Sequence, residues 1–144
     1  MNKLLTFLTI TTLCNSTIIY NSMKDCSSGL NTGHITSISM IPSAPVSGSY
    51  VNIIIDYTLD TDVTDGSATY TASFNGFPFS PTTEPLCPDL EDTTTPCPIS
   101  AGEVHFEGIS QIGDGTTHGT IVATTTWKDQ NNNEIICWGF TVRI

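Results

Sequence analysis

From residue 49 to residue 59 apolar and polar side chains alternate. Val51, Ile53, Ile55, Tyr57 and Leu59 share one parity, and Asn52, Asp56 and Thr58 share the other, together with Ile54. A period of two predicts a strand with one buried face. The same period recurs over 67–74 (Ala68, Tyr70, Ala72, Phe74) and over 103–109 (Val104, Phe106, Gly108). At the chain end, Trp138, Phe140, Val142 and Ile144 take one parity. Ile135, Cys137, Gly139, Thr141 and Arg143 take the outer one. Residues 33–41 alternate less cleanly, through Ile35, Ile38 and Met40, and stop at Pro42 and Pro45. A threonine-rich strand is predicted over 118–127, and Asp129 to Asn133 reads as a polar hairpin turn. Asp65-Gly66 and Gly113-Asp114-Gly115 are further turn signals. Residues 75–98 carry Pro78, Pro81, Pro85, Pro88, Pro96 and Pro98, too many missing N–H groups for a central strand, and are read as one irregular segment. No run has a long helical period. About seven short strands without helices predict an all-β antiparallel β-sandwich.

The N-terminus departs from this pattern. Lys3 precedes the apolar stretch Leu4 to Leu13, which predicts a signal peptide over residues 1–22, cut after Ser16 or Ser22, and a mature domain over 23–144. The stretch is too short for a membrane anchor. Cys14 leaves with the signal. Cys26, Cys87, Cys97 and Cys137 remain, and in an exported chain they fit two disulfides with three connectivities. Proximity favours Cys87–Cys97. Cys26 is then the best partner for Cys137, and a Cys26–Cys87 link is the arrangement that peptide mapping would have to exclude. Zinc bound by cysteine lacks the paired spacing it needs.

The formal charge is -10. Lys24, Lys128 and Arg143 are the strong bases left after the signal, too few and too scattered for nucleic-acid phosphate. Catalytic motifs are missing as well: no nucleophile elbow, phosphate loop or zinc-protease signature is present. Glu103, His105 and Glu107 share a parity. A solvated outer face explains them more simply than a metal patch, because Val104 and Phe106 take the opposite side. The expectation is a protein that is not an enzyme and has neither cofactor nor metal. Asn15-Ser16-Thr17, the one glycosylation sequon, lies in or beside the signal.

Several local signatures fall in a specific order: Cys26, then Asn75-Gly76-Phe77-Pro78-Phe79 ahead of Cys87, then Cys97-Pro98-Ile99 with Ala101-Gly102, then Trp127-Lys128-Asp129, then Cys137-Trp138. In order and spacing the chain resembles the ML lipid-recognition domain family across residues 24–144, in particular its sterol-carrier and phosphatidylglycerol/phosphatidylinositol transfer branches. The resemblance implies an immunoglobulin-like β-sandwich with an internal lipid cavity between its sheets, and bridges Cys26–Cys137 and Cys87–Cys97. The early small bridge usual in the family has no counterpart here. The resemblance also implies lipid-facing roles for Phe77 and Phe79 as an aromatic rim and for Ile112 and His118 at the pocket mouth. Ile53, Ile55 and Tyr57 are cavity-wall candidates on the alternating strand. Trp127 and Trp138 read as structural.

The implied function is that of a monomeric, soluble lipid-binding protein. It would carry a phospholipid (phosphatidylglycerol or phosphatidylinositol) or a sterol between membranes, with transient membrane contact and a luminal membrane protein as one acceptor. The implied location is secreted or in a lysosomal or vacuolar lumen. The rival expectation is a secreted or luminal recognition or adhesion sandwich with a filled core.

Overall fold

The computed structural model describes residues 21–115 and 118–144. The expected signal peptide lies almost wholly outside the described residues. Within them the chain forms nine strands and one short helix: β1 Ser22–Asp25, β2 Gly33–Ile41, β3 Tyr50–Leu59, β4 Gly66–Phe74, β5 Phe77–Pro78, β6 Thr82–Pro85, α1 Leu86–Leu90, β7 Gly102–Gln111, β8 Thr120–Asp129 and β9 Glu134–Arg143. One sheet runs β1-β9-β8-β4-β5, with β6 also on β4, and the other runs β2-β3-β7. Every pairing is antiparallel. The two sheets pack as an immunoglobulin-like sandwich.

The alternation on β3 sets the core. Val51, Ile53, Ile55, Tyr57 and Leu59 are all buried, and the polar parity is only half-buried. They belong to one apolar cluster with Trp127, Trp138 and Val142 of the larger sheet, which joins the two layers. Burial of this kind contributes roughly 25 cal/mol for each Å² of apolar surface removed from water.

Both bridges form as paired above. Cys26 and Cys137 are 111 residues apart with Cα atoms at 4.9 Å, and Cys87 and Cys97 are 10 residues apart with Cα atoms at 5.4 Å. β1 pairs with β9 from Ser22↔Thr141 to Asp25↔Trp138, so the bridge continues a seam already held by hydrogen bonds.

The structure differs from the sequence expectations in two places. The segment 75–98 is partly ordered as β5, β6 and α1, because its prolines need only an edge. β5 and β6 pair with β4 alone and leave their other sides unpaired. Ile135 was expected outside, yet Ile135 and Ile136 are both buried. The β8–β9 register jumps between Trp127↔Ile136 and Lys128↔Glu134, so a bulge turns two successive residues inward there. The expected hairpin turn from Asp129 to Asn133 forms, and the Asp129 N–H donates to the Asn133 carbonyl at 2.9 Å. Asp129 ends β8, is buried, and accepts hydrogen bonds from the backbone N–H groups of Asn131 and Asn133, both at 2.9 Å.

Candidate functional site

The sandwich interior is not completely filled. A cavity of about 300 Å³ lies between the sheets. Its origin is visible in the register. Ala72 on β4 pairs directly with Ala123 on β8, which in turn pairs with Phe140 on β9. Two alanines side by side leave a dent in the larger sheet. Opposite, β7 presents Gly108 next to Phe106 on the inward parity. A Cβ on Gly108 would stand 2.5 Å from Phe106 Cζ, so glycine is what lets that ring fold across the cavity roof. Ile53, Phe106, Trp127, Trp138 and Phe140 supply most of the remaining apolar wall, and the buried Thr125 adds a hydroxyl.

The cavity opens sideways, between Tyr70 of β4 and Ile109–Ser110 of β7, all exposed to solvent. Below that opening the segment 86–95 spans the two sheets. Leu86 and Leu90 are buried in the core cluster, and Asp89 Oδ2 accepts a 2.7 Å hydrogen bond from the Tyr70 hydroxyl. On the other side, the Thr95 hydroxyl donates to the His105 carbonyl at 2.7 Å, and the Glu107 N–H donates to Thr94 Oγ1 at 2.7 Å. The segment therefore ties β4 to the free edge of β7, and the Cys87–Cys97 bridge holds its two ends together. Burial, and then the Asp89 hydrogen bond, push the Tyr70 hydroxyl well above its usual pKa, so it stays a donor. A shallow groove continues outward from the opening past Asp89, Asp92, Asn52 and Glu107.

The seven expected lipid-facing residues separate into three groups. Ile53 lines the cavity. Ile55, Tyr57 and Ile112 are buried in the packed core around it, and Tyr57 meets Trp127 edge to face at 6.4 Å. Phe77, Phe79 and His118 lie on the surface. Phe77 is 78% exposed and Phe79 is 61% exposed. The Phe79 N–H donates to the carbonyl of Ala72, which places Phe79 beside the strand that carries half of the dent. His118 approaches the terminal Ile144 carbonyl at 3.3 Å.

Trp127 and Trp138, read from sequence as structural, are both on the cavity wall. The signal that could have placed them there is the set of small residues at neighbouring inward positions, Ala72, Ala123 and Gly108, which is apparent only once the strands are in register.

On the outer face of the smaller sheet, His105 Nδ1 is 2.6 Å from Asp56 Oδ1 and its Nε2 is 3.0 Å from Glu107 Oε1. The Ser37 hydroxyl donates to Asp56 Oδ2 at 2.6 Å. Among the described residues no group of three or more histidine, cysteine, aspartate or glutamate side chains is arranged to hold a metal ion.

A two-layer sandwich stapled at its seam, with an apolar space between the layers and a side opening, defines a binding domain for an apolar ligand. The chain belongs to the ML domain family, whose pattern matches residues 20–144. It is a lipid-binding protein. Two Dictyostelium discoideum proteins named for phosphatidylglycerol/phosphatidylinositol transfer are similar to it. One is 28% identical over 120 residues, covering 80% of this chain and 79% of the relative, and the other is 26% identical over 110 residues, covering 76% and 77%. Among solved structures, a Niemann-Pick type C2 protein from the Japanese carpenter ant matches with a TM-score of 0.64 at 17% identity, covering 85% of this chain and 98% of its own. Chicken MD-1, crystallised with lipid IVa, matches with a TM-score of 0.60 at 20% identity, covering 85% and 88%. These two likenesses concern the fold.

Proposed function

We propose that the protein takes up a single lipid, a phospholipid or a sterol, through the side opening and carries it between membranes in a secreted or lysosomal/vacuolar lumen. The observation that carries this reading is the dent formed by the Ala72–Ala123 pair, which keeps an otherwise well-packed sandwich from closing. At about 300 Å³ the space is at the lower limit of ligand pockets. A whole phospholipid exceeds it, so the headgroup stays outside along the groove and the sheets part to admit a tail or ring system. Carboxylates at Asp89, Asp92 and Glu107 line that groove and favour headgroups whose exposed part is neutral or rich in donors. The names of the Dictyostelium relatives support a phospholipid as cargo, and a sterol fits the same apolar walls.

Membrane contact falls to the sandwich end where the connections at 42–49, 75–79 and 112–115 meet. Ser47 Oγ donates to the Gly113 carbonyl, and the Thr120 N–H donates to Asn75 Oδ1, so the three are tied together. Exposed Ile41, Val46, Tyr50, Phe77, Phe79 and Ile109 concentrate toward this end. Such a patch suits a water–lipid boundary. Delivery then goes to a second bilayer or to a luminal membrane-protein acceptor, with the carrier acting as a monomer.

The test is a cavity-filling variant. Ala123→Leu should abolish lipid uptake from vesicles and the co-purifying lipid seen by native mass spectrometry, while thermal stability stays the same or rises. Uptake undiminished in a folded Ala123→Leu variant would remove the cavity from the function and leave the filled recognition sandwich as the better reading.

A further inference from the structure

The two disulfides of the chain stand in unlike surroundings. Cys137 is buried, the Thr126 hydroxyl lies 3.6 Å from its sulfur, and the Cys26 N–H donates to its carbonyl at 3.0 Å. Cys26, half-buried, follows directly on the β1–β9 ladder. Cys87 and Cys97 are both half-buried, and together with Pro88, Glu91 and Pro96 they line a surface pocket of about 310 Å³. Thiol–disulfide exchange starts with a thiolate meeting one sulfur of the bridge, so access helps decide which bridge reacts. The seam bridge is guarded by strand pairing. The mid-chain bridge adjoins a pocket with room for a small thiol.

Charge narrows the choice of thiol. Glu91 lines the pocket, Asp89 and Asp92 flank it in sequence, and Asp65 follows Thr64, whose carbonyl is 3.5 Å from Cys87 Sγ. The base that the strand register brings to this side is Lys128, across Ser67 from Pro85. A thiolate is an anion and is repelled by such a site. A thiolate that carries its own ammonium arrives without net charge and escapes that repulsion. The sulfurs also stay close once the bridge is open. Ile99, two residues after Cys97, exchanges backbone hydrogen bonds with Val63 at 2.8 and 2.9 Å, and Leu86, just before Cys87, is fully buried. Opening therefore removes the covalent closure of the loop and leaves both of its ends in place.

We infer that Cys87–Cys97 is a reversible exchange site for a small aminothiol, and that opening it loosens the segment 86–95 beside the cavity mouth. The aminothiol thiolate attacks one sulfur of the bridge. The Cys87–Cys97 bond breaks, a mixed disulfide forms, and the other cysteine leaves as a thiolate that takes a proton from water. A second aminothiol attacks the mixed disulfide and departs with the first as their symmetrical disulfide. Two thiols are oxidised to one disulfide and the protein bridge is reduced to two thiols. The same symmetrical disulfide reverses the sequence. The freed segment keeps its buried leucines and its threonine hydrogen bonds to β7 but loses the cross-link that restrains the loop. The effect on cargo rests on the lipid-carrier reading, and the exchange chemistry does not.

The experiment treats the purified, oxidised protein with cysteamine, 2-mercaptoethanol or 3-mercaptopropionate, whose thiolates differ in net charge. Samples are alkylated at intervals and mapped by mass spectrometry, with rates expressed per thiolate present. The seam bridge in the same molecule is the internal standard. Cys87–Cys97 should open at least about tenfold faster than Cys26–Cys137 with cysteamine. That ratio should fall from cysteamine to 2-mercaptoethanol to 3-mercaptopropionate, and the differences should shrink as salt is added. Equal opening of the two bridges, or earlier opening of the seam, would overturn the site. A ratio that ignores the charge of the thiol would overturn the aminothiol as its partner. Protein opened only at Cys87–Cys97 is then compared with oxidised protein in lipid exchange with phosphatidylcholine vesicles. Exchange should be about fivefold faster, and should return to the starting rate after cystamine recloses the bridge. Equal exchange rates would overturn the loosening while leaving the carrier reading intact. Lipid uptake by neither form would sink the carrier reading and the effect on cargo together, and the peptide maps would still decide the exchange site.

Discussion

His105 stands between two carboxylates, and its ionisation is coupled to theirs. The hydrogen bond to Asp56, then that to Glu107, raises its pKa above the ordinary 6.5. Asp56 is lowered from 3.8 by the Ser37 hydroxyl first and by His105 second, and Glu107 is lowered from 4.5 chiefly by His105. A raised histidine adds stability that is complete below its unfolded value and disappears as pH rises through the folded one. A lowered carboxylate adds stability that is complete above its unfolded value and disappears as pH falls through the folded one. All three contributions coexist between 4.5 and 6.5. His105→Gln should therefore narrow the gap between stability at pH 5.5 and stability at pH 8, measured by thermal unfolding across the range. A variant that keeps the wild-type pH profile would show that the cluster is energetically silent, as many exposed pairs are. The shared parity of 103, 105 and 107 was legible in the sequence. The second carboxylate was not, because Asp56 comes from another strand and meets His105 only through the β3–β7 register.

At the level of elements, the segment 86–95 bridges the two sheets beside the opening. Its attachment to the larger sheet includes the Tyr70–Asp89 hydrogen bond at the opening. Tyr70→Phe keeps the ring and removes that bond. The expected outcome is faster lipid exchange in both directions in a vesicle transfer assay, with a stability loss of about 1 kcal/mol or less. Unchanged exchange in a folded variant would show that the opening is set elsewhere. Sequence periodicity was enough to place β3, β4, β7 and β9, and on β3 the alternation of burial is strict. It failed over 75–98, because prolines rule out a central strand but permit edge strands, and because α1 is only five residues long, too short for a helical period. It failed again at Ile135, where a bulge breaks the period of two. The cavity was not legible from any one strand. Ala72, Ala123 and Gly108 each look like ordinary small residues until three strands from two sheets bring them together.

For the molecule as a whole, charge and surface oppose each other. The formal charge of -10 repels an anionic bilayer near neutral pH, while Phe77 and Phe79 expose apolar surface, which under the proposed function meets the bilayer. Flotation with vesicles of increasing anionic lipid should show binding that falls with anionic content at pH 7 and recovers near pH 4.5, as carboxylates protonate. Phe79→Ala should weaken binding to neutral vesicles at both pH values and slow transfer without unfolding the domain. Pelleting equal to wild type would place the docking surface away from Phe79.

The Cys26–Cys137 bridge has a mechanical consequence. It joins the end of β1 to the start of β9, so tension applied at the two ends of the domain stops at one covalent bond and does not unravel the chain between the bridged cysteines. Stretched between its termini in an optical trap, the oxidised protein should yield almost no added length. After reduction, the 111-residue separation of the bridged cysteines should pay out about 370–400 Å of chain. A protein built this way can be tethered at either end without loosening the chain between its bridged cysteines.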